Sequence, residues 1–186
     1  MKDINPKSTL KMKRIIITIV VAVISIVSAF AQISVKYHGE INAGYSVGVG
    51  TYAADRVNLN TIQGVQAGDY FSVGLGLGLD WYRGLYADYW KEKGKADRGE
   101  LAMPIYLNVK GYLPVNETVA PYLTFDIGYG IGITEGLEGF GGLYLTPGIG
   151  IKFGRFKAEA GFNVQQITDV IKVNTNALKF SVGYIF

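Results

Sequence analysis

The sequence predicts an all-β fold, an eight-stranded antiparallel up-and-down transmembrane β-barrel, preceded by a cleaved signal peptide. Three observations carry this. Apolar and polar residues alternate along the whole chain after residue 32, the period of an extended strand. The alternation breaks into eight segments of about ten residues, an even number, as spanning barrels have. Composition agrees, with 25 Gly and 13 Tyr against 5 Pro and no helical period.

The first segment, residues 33–50, sets Ile33, Val35, Tyr37, Ile41, Ala43, Tyr45, Val47 and Val49 on one face, interrupted only by Gly39. Lys36, His38, Glu40, Asn42 and Ser46 share the other with glycines. A second, weaker segment covers residues 57–66. The third alternates Phe71, Val73, Leu75, Leu77, Leu79 and Trp81 with small or polar residues. The fourth, residues 101–110, contains Pro104, which removes a ladder donor and weakens its assignment. The fifth, sixth and seventh cover residues 122–133, 143–153 and 156–165. The eighth closes the chain over residues 178–186, with Leu178, Phe180, Val182, Tyr184 and Phe186 on one face.

Residues 1–31 read as a secretory signal peptide. Lys11, Lys13 and Arg14 precede an apolar run that ends in Ala29-Phe30-Ala31, an A-x-A cleavage site before Gln32. A retained membrane anchor is the alternative, but the run is short for a span of about 20 residues. Met12-Lys13-Arg14 itself resembles a signal-peptide start, which makes residues 1–11 an upstream extension and 32–186 the barrel domain. The chain has 18 basic and 15 acidic residues; the first 31 hold five and one, leaving 13 and 14. That balance gives no argument for a nucleic-acid partner. The absence of Cys excludes a disulfide framework and thiolate metal sites, and a single His excludes a multi-histidine metal centre. No cofactor is expected.

Connections alternate in length. Those around 67–70, 112–120 and 154–155 are mostly short; those after the odd-numbered segments are longer, especially 83–98 and 166–177. Short turns belong to the periplasmic side and long loops to the outside, which places both termini in the periplasm. The signal peptide, the eight segments, the Gly-x-Gly-x-Gly stretches at 74–78 and 128–132 and the final Tyr184-Ile185-Phe186 together resemble the small outer-membrane barrel proteins of the OmpX/OmpA-transmembrane-domain type. In style they are closest to the barrel-domain proteins of Bacteroidetes. The resemblance implies the cell outer membrane as location and outer-membrane lipids as surroundings. It also implies that Tyr184 and Phe186 form an assembly signal read by the barrel assembly machinery. It implies activity poorly, since such proteins range from adhesion to envelope-integrity roles.

Candidate functional residues fall into three groups. The glycine stretches are not phosphate loops, because no helix follows them. They fill inward positions and could leave a small cavity open to the outside, rimmed by Asp80, Tyr82 and Tyr144; those side chains and the loops could equally fill it. Lys36, His38, Glu40, Lys110, Asp126, Lys152, Glu159 and Lys179 should point inward as a network of paired charges, since an unpaired buried charge is costly. A catalytic reading of His38 and Glu40 needs a nucleophile, and Ser46 lies about 27 Å from His38 along one strand. In the 83–100 loop, Tyr86, Tyr89, Trp90, Lys91 and Lys93 interleave aromatics with cations. That pattern suits an extracellular acidic ligand or surface partner, or a solvated loop anchored at the interface. A soluble lipocalin-like barrel is the main alternative fold. It would place the large apolar face inside, leaving the Gly, Lys and Asn face to the solvent. The expectation is a non-enzymatic outer-membrane barrel acting in structure, surface interaction or envelope integrity. A small-ligand or conduit barrel is second, and a lipid-modifying enzyme third.

Overall fold

The computed structural model describes residues 34–50, 53–83, 99–134, 137, 141–168 and 172–186. The predicted signal peptide and the aromatic–cationic stretch of the 83–100 loop lie outside them. Eight strands run in order: β1 (Val35–Val49), β2 (Asp55–Ala67), β3 (Phe71–Arg83), β4 (Glu100–Tyr112), β5 (Val119–Gly132), β6 (Gly141–Phe153), β7 (Phe156–Thr168) and β8 (Lys172–Ile185). Each pairs with its sequence neighbours, and β8 returns to β1 to close the barrel. The β1–β8 seam is antiparallel, with Glu40 opposite Ile185 and Val49 opposite Asn176. A 13-residue strand at ~3.3 Å per residue and a tilt of ~40° rises ~33 Å, enough for a hydrocarbon core of ~30 Å.

Closure fixes which face of each strand looks inward. On β3, Ser72, Gly74, Gly76, Gly78, Asp80 and Tyr82 face the lumen, while Leu75, Leu77, Leu79 and Trp81 are exposed on the outer wall. The same division holds on β5, where Leu123, Phe125, Ile127, Tyr129 and Ile131 are outward. Leu75 is 67% and Leu123 66% exposed, whereas Glu40, Arg56 and Lys110 are each 0% exposed. A lipocalin-like arrangement would show the reverse.

Two features depart from the sequence reading. Residues 166–177 are not a long loop: β7 and β8 extend through them, with Gln165 opposite Thr175 and Thr168 opposite Lys172, leaving 169–171 as the link. Polar residues on both faces conceal this hairpin extension. Pro104 lies within β4, in a sheet with no edge. The β3–β4 register is interrupted between Leu77↔Ile105 and Asp80↔Ala102, so the missing N–H falls in a gap of the ladder.

The barrel closes to its last residue. The Phe186 N–H donates to the Gly39 carbonyl at 2.9 Å, and the Gly39 N–H donates to the Phe186 carbonyl at 3.3 Å. A Cβ at Gly39 would stand 2.5 Å from Cε2 of Phe186 and 2.7 Å from the Tyr37 hydroxyl, so a side chain there would have to push both rings aside.

Candidate functional site

β4 serves as a ruler for the lumen, since its inward residues read upward from the short-turn end as Tyr112, Lys110, Asn108, Tyr106, Pro104, Ala102 and Glu100. Each level anchors a distinct cluster. At the bottom, the rings of Tyr112 and Tyr122 lie 5.3 Å apart between centroids. Beside them sits the charge cluster centred on Glu40. His38 Nε2 lies 2.6 Å from Glu40 Oε1, Lys110 Nζ donates to the same oxygen at 2.8 Å, and Lys157 Nζ approaches Oε2 at 2.6 Å. Lys157 also reaches Glu159 at 3.2 Å, and Glu159 accepts from the Tyr122 hydroxyl at 3.1 Å. One carboxylate thus holds two ammonium groups, a geometry in which attraction can offset the desolvation of all three.

Above this, Lys110 donates to Asn108 Oδ1 at 2.8 Å, and Asn108 donates onward to Asp126 at 2.5 Å and to Thr124 at 3.0 Å. Asn42 donates to Asn60 at 3.0 Å across β1 and β2. A layer of Ile62, Tyr106 and Tyr144 follows, with the two tyrosine rings stacked at 5.2 Å and Lys179 donating to the Tyr144 hydroxyl at 3.2 Å. The upper polar layer centres on Arg56. It donates to the Tyr82 hydroxyl at 2.7 Å and to Asn163, which in turn donates to Thr146 at 2.7 Å. Asn58 donates to Asp80 at 2.7 Å and accepts from Ser46 at 2.7 Å. Leu137 caps the stack with Ala54, Tyr82 and Ala102, and Glu100 accepts from Thr134 at this rim.

The glycine-lined upper cavity is absent among the described residues, and the register explains why. Gly76 and Gly128 flank Tyr106 on the two neighbouring strands, Gly128 also faces Tyr144, and Gly150 faces Tyr122. A Cβ on Gly76 would meet the Tyr106 ring, one on Gly150 the Tyr122 ring, and one on Gly130 the Gln165 amide. The glycines are hollows that cross-strand tyrosines fill, a pairing that also pins register. What remains near Tyr82 and Gly130 is a void of about 10 Å³, room for one water at most. Asp80, Tyr82 and Tyr144, read as a rim, are instead enclosed.

Of the inward-pointing charges expected from sequence, the structure brings His38, Glu40, Lys110 and Glu159 into one cluster and buries Asp126 and Lys179 above it. Lys36 is exposed at the start of β1 and joins no ion pair among the described residues. Lys152 is half-buried, its Nζ 6.0 Å from the Tyr112 ring centroid. Tyr184 and Phe186 sit at the outer rim, Tyr184 edge-on to Phe156 at 5.5 Å and Phe186 6.3 Å from Tyr37. Tyr86, Tyr89, Trp90, Lys91 and Lys93 lie outside the described residues. Arg56 falls outside the second segment as the sequence predicts it, which begins at residue 57. Yet Arg56, Asn58 and Asn60 alternate with Val57, Leu59 and Thr61, which was the available signal. Tyr106 and Asn163 were readable as inward, but not as the partners of Gly76 and Arg56.

No protein-family model matches the chain, and no curated protein sequence does. Among solved structures, Neisserial surface protein A (NspA) is similar at 14% identity and a TM-score of 0.52, over 82% of this chain and 99% of that one. The N-terminal β-barrel domain of Pseudomonas aeruginosa OprF matches at 16% identity and TM-score 0.46, over 82% and 100%. The outer membrane enzyme PagL matches at 12% and 0.49, over 79% and 98%. With the closed ring of eight antiparallel strands and the likeness to NspA, the chain has the fold of small outer-membrane β-barrel proteins.

Proposed function

We propose that the protein is an integral outer-membrane barrel with both termini in the periplasm and a non-enzymatic role in surface contact, adhesion or envelope integrity. The observation that carries this is the inverted polarity. Every one of the eight strands exposes large apolar side chains on the outer wall, while Arg56, Lys110, Lys157 and Lys179 are enclosed with Glu40, Asp80 and Asp126. Soluble monomers rarely expose an apolar patch beyond a few hundred Å²; a bilayer removes that conflict. The C-terminal pair Tyr184 and Phe186, ordered at the rim, suits recognition by the barrel assembly machinery. The filled lumen supports a contact role over a ligand-binding or conduit role. It also argues against chemistry at His38 and Glu40. Both are enclosed, both oxygens of Glu40 are engaged, and Ser46 is bonded to Asn58.

Cysteine labelling in intact cells tests the reading, because the chain has no native Cys. Lys93→Cys in the long loop should react with a membrane-impermeant maleimide, and Asn116→Cys in the β4–β5 turn should react only after lysis. Protection of both until lysis would refute the surface topology.

A further inference from the structure

The outer wall is recessed over β7. Its outward residues there are Ala158 and Ala160, and the paired outward positions on the flanking strands are Ile151 and Ile149 on β6 and Val182 and Phe180 on β8. Small side chains between tall ones leave an apolar groove, part of a wider open hollow of about 850 Å³ that also takes in Ala43 on β1 and Pro121 and Leu123 on β5. At its foot lies the Gly154–Arg155 turn. Arg155 Nη1 donates to the Tyr184 hydroxyl at 3.2 Å, and Tyr184 stands edge-on to the exposed ring of Phe156, so the guanidinium is held toward the outer wall. Among the described residues no carboxylate pairs with it.

We propose that this groove is a binding site for an anionic glycerophospholipid. An acyl chain lies on the Ala158–Ala160 floor, and the phosphate is held by Arg155 with the Tyr184 hydroxyl beside it. The inference rests on the outer-membrane reading, under which the turn lies at the headgroup level of the inner leaflet. Two features favour a lipid over a second copy of the barrel. The floor is sunk between the large side chains of β6 and β8, so a flexible chain reaches it and a second convex wall does not. The cation at the open end has most of its planar fork of N–H donors left, which matches a phosphate bidentately. Tyrosine is at home at this depth, with its ring in the apolar layer and its hydroxyl at the headgroups.

The test uses the full mature chain purified in a non-ionic detergent, with native mass spectrometry and thermal unfolding followed during titration with phosphatidylglycerol or phosphatidylcholine. Wild type should retain one phosphatidylglycerol and be stabilised by it more than by phosphatidylcholine. Arg155→Gln should weaken phosphatidylglycerol binding about tenfold, the scale of one charge-assisted hydrogen bond, and abolish the preference. Ala160→Phe, which fills the floor, should lose both lipids, while Leu79→Phe on the opposite wall should bind as wild type. Far-ultraviolet dichroism checks that each variant is folded, and Ala158→Leu replaces Ala160→Phe if the latter is not. Unchanged binding by the Arg155 and floor variants would overturn the proposal, as would wild type that holds a second copy through this face instead of lipid. Failure of the outer-membrane reading shows itself separately, as wild-type protein that stays folded and monomeric without detergent.

Discussion

Glu40→Gln is the most discriminating perturbation of the lumen. The substitution keeps the volume and removes one charge. Glu40 is 0% exposed and receives Lys110 at 2.8 Å, Lys157 at 2.6 Å and His38 at 2.6 Å. Lys157 retains Glu159 at 3.2 Å, so most of the loss falls on Lys110, which keeps only the neutral Asn108 oxygen at 2.8 Å. Breaking a buried ion pair from one side costs about 3–5 kcal/mol. The residual partners place this case near the lower end, ~3 kcal/mol. With a urea dependence of ~2 kcal/mol per molar, the unfolding midpoint should fall by ~1.5 M. The assay is urea unfolding of the barrel refolded into lipid vesicles, read by tryptophan fluorescence. Adding Lys110→Met to Glu40→Gln should restore most of the loss, because the stranded ammonium is then gone. A shift below ~0.5 M for the single variant would mean that water reaches and solvates the cluster, and the sealed-lumen account would fail.

Three further outcomes are expected. Gly76→Val places a branched side chain where the Tyr106 ring lies, and should cost ~1–3 kcal/mol in the same titration; adding Tyr106→Ala should return part of it. Gly39→Val collides with Phe186 at the seam and should lower the fraction of chain that inserts into vesicles, measured by protease protection. Arg56→Met removes the donor to Tyr82 and Asn163 and leaves the Asp80 carboxylate hydrogen-bonded to the neutral Asn58 amide. It should lower stability by ~2 kcal/mol or more, and Asp80→Asn in the same chain should recover part of that.

The strands were legible because alternation is a local property of an extended chain, and one uniformly apolar face left little ambiguity about which side turned outward. β8 was the exception at its start. Lys172, Asn174 and Asn176 interleave with Val173, Thr175 and Ala177, so neither face is uniformly apolar, and pairing with β7 is what brings Thr175 to the Gln165 carbonyl. Pro104 misled in the opposite direction, since its harmlessness depends on a gap in the ladder that only register reveals. The site was less legible than the fold. That Lys110 faces inward follows from parity along one strand; that it meets Glu40, 70 residues away, does not. The same limit applied to the glycines. A row of them on one face reads equally as a cavity or as hollows for rings, and only cross-strand register places Tyr106 between Gly76 and Gly128.

That register also constrains what the lumen can do. An eight-stranded interior has room for its own side chains and little else. Opening this one would require withdrawing Tyr106 and Tyr144 from a stacked pair, then separating Arg56 from Tyr82 and Asn163 and Lys110 from Glu40. Each separation strands a buried polar or charged group at ~1–3 kcal/mol or more, and the clusters lie in series along the axis, so the costs accumulate. A small ligand at the level of Tyr82 and Gly130 would have to recover that sum from contacts of its own where the open space is about 10 Å³. The outer wall carries no such penalty. On the proposed reading, recognition therefore belongs outside the lumen: to the loops for extracellular partners, and to the Ala158–Ala160 groove with Arg155 for lipid.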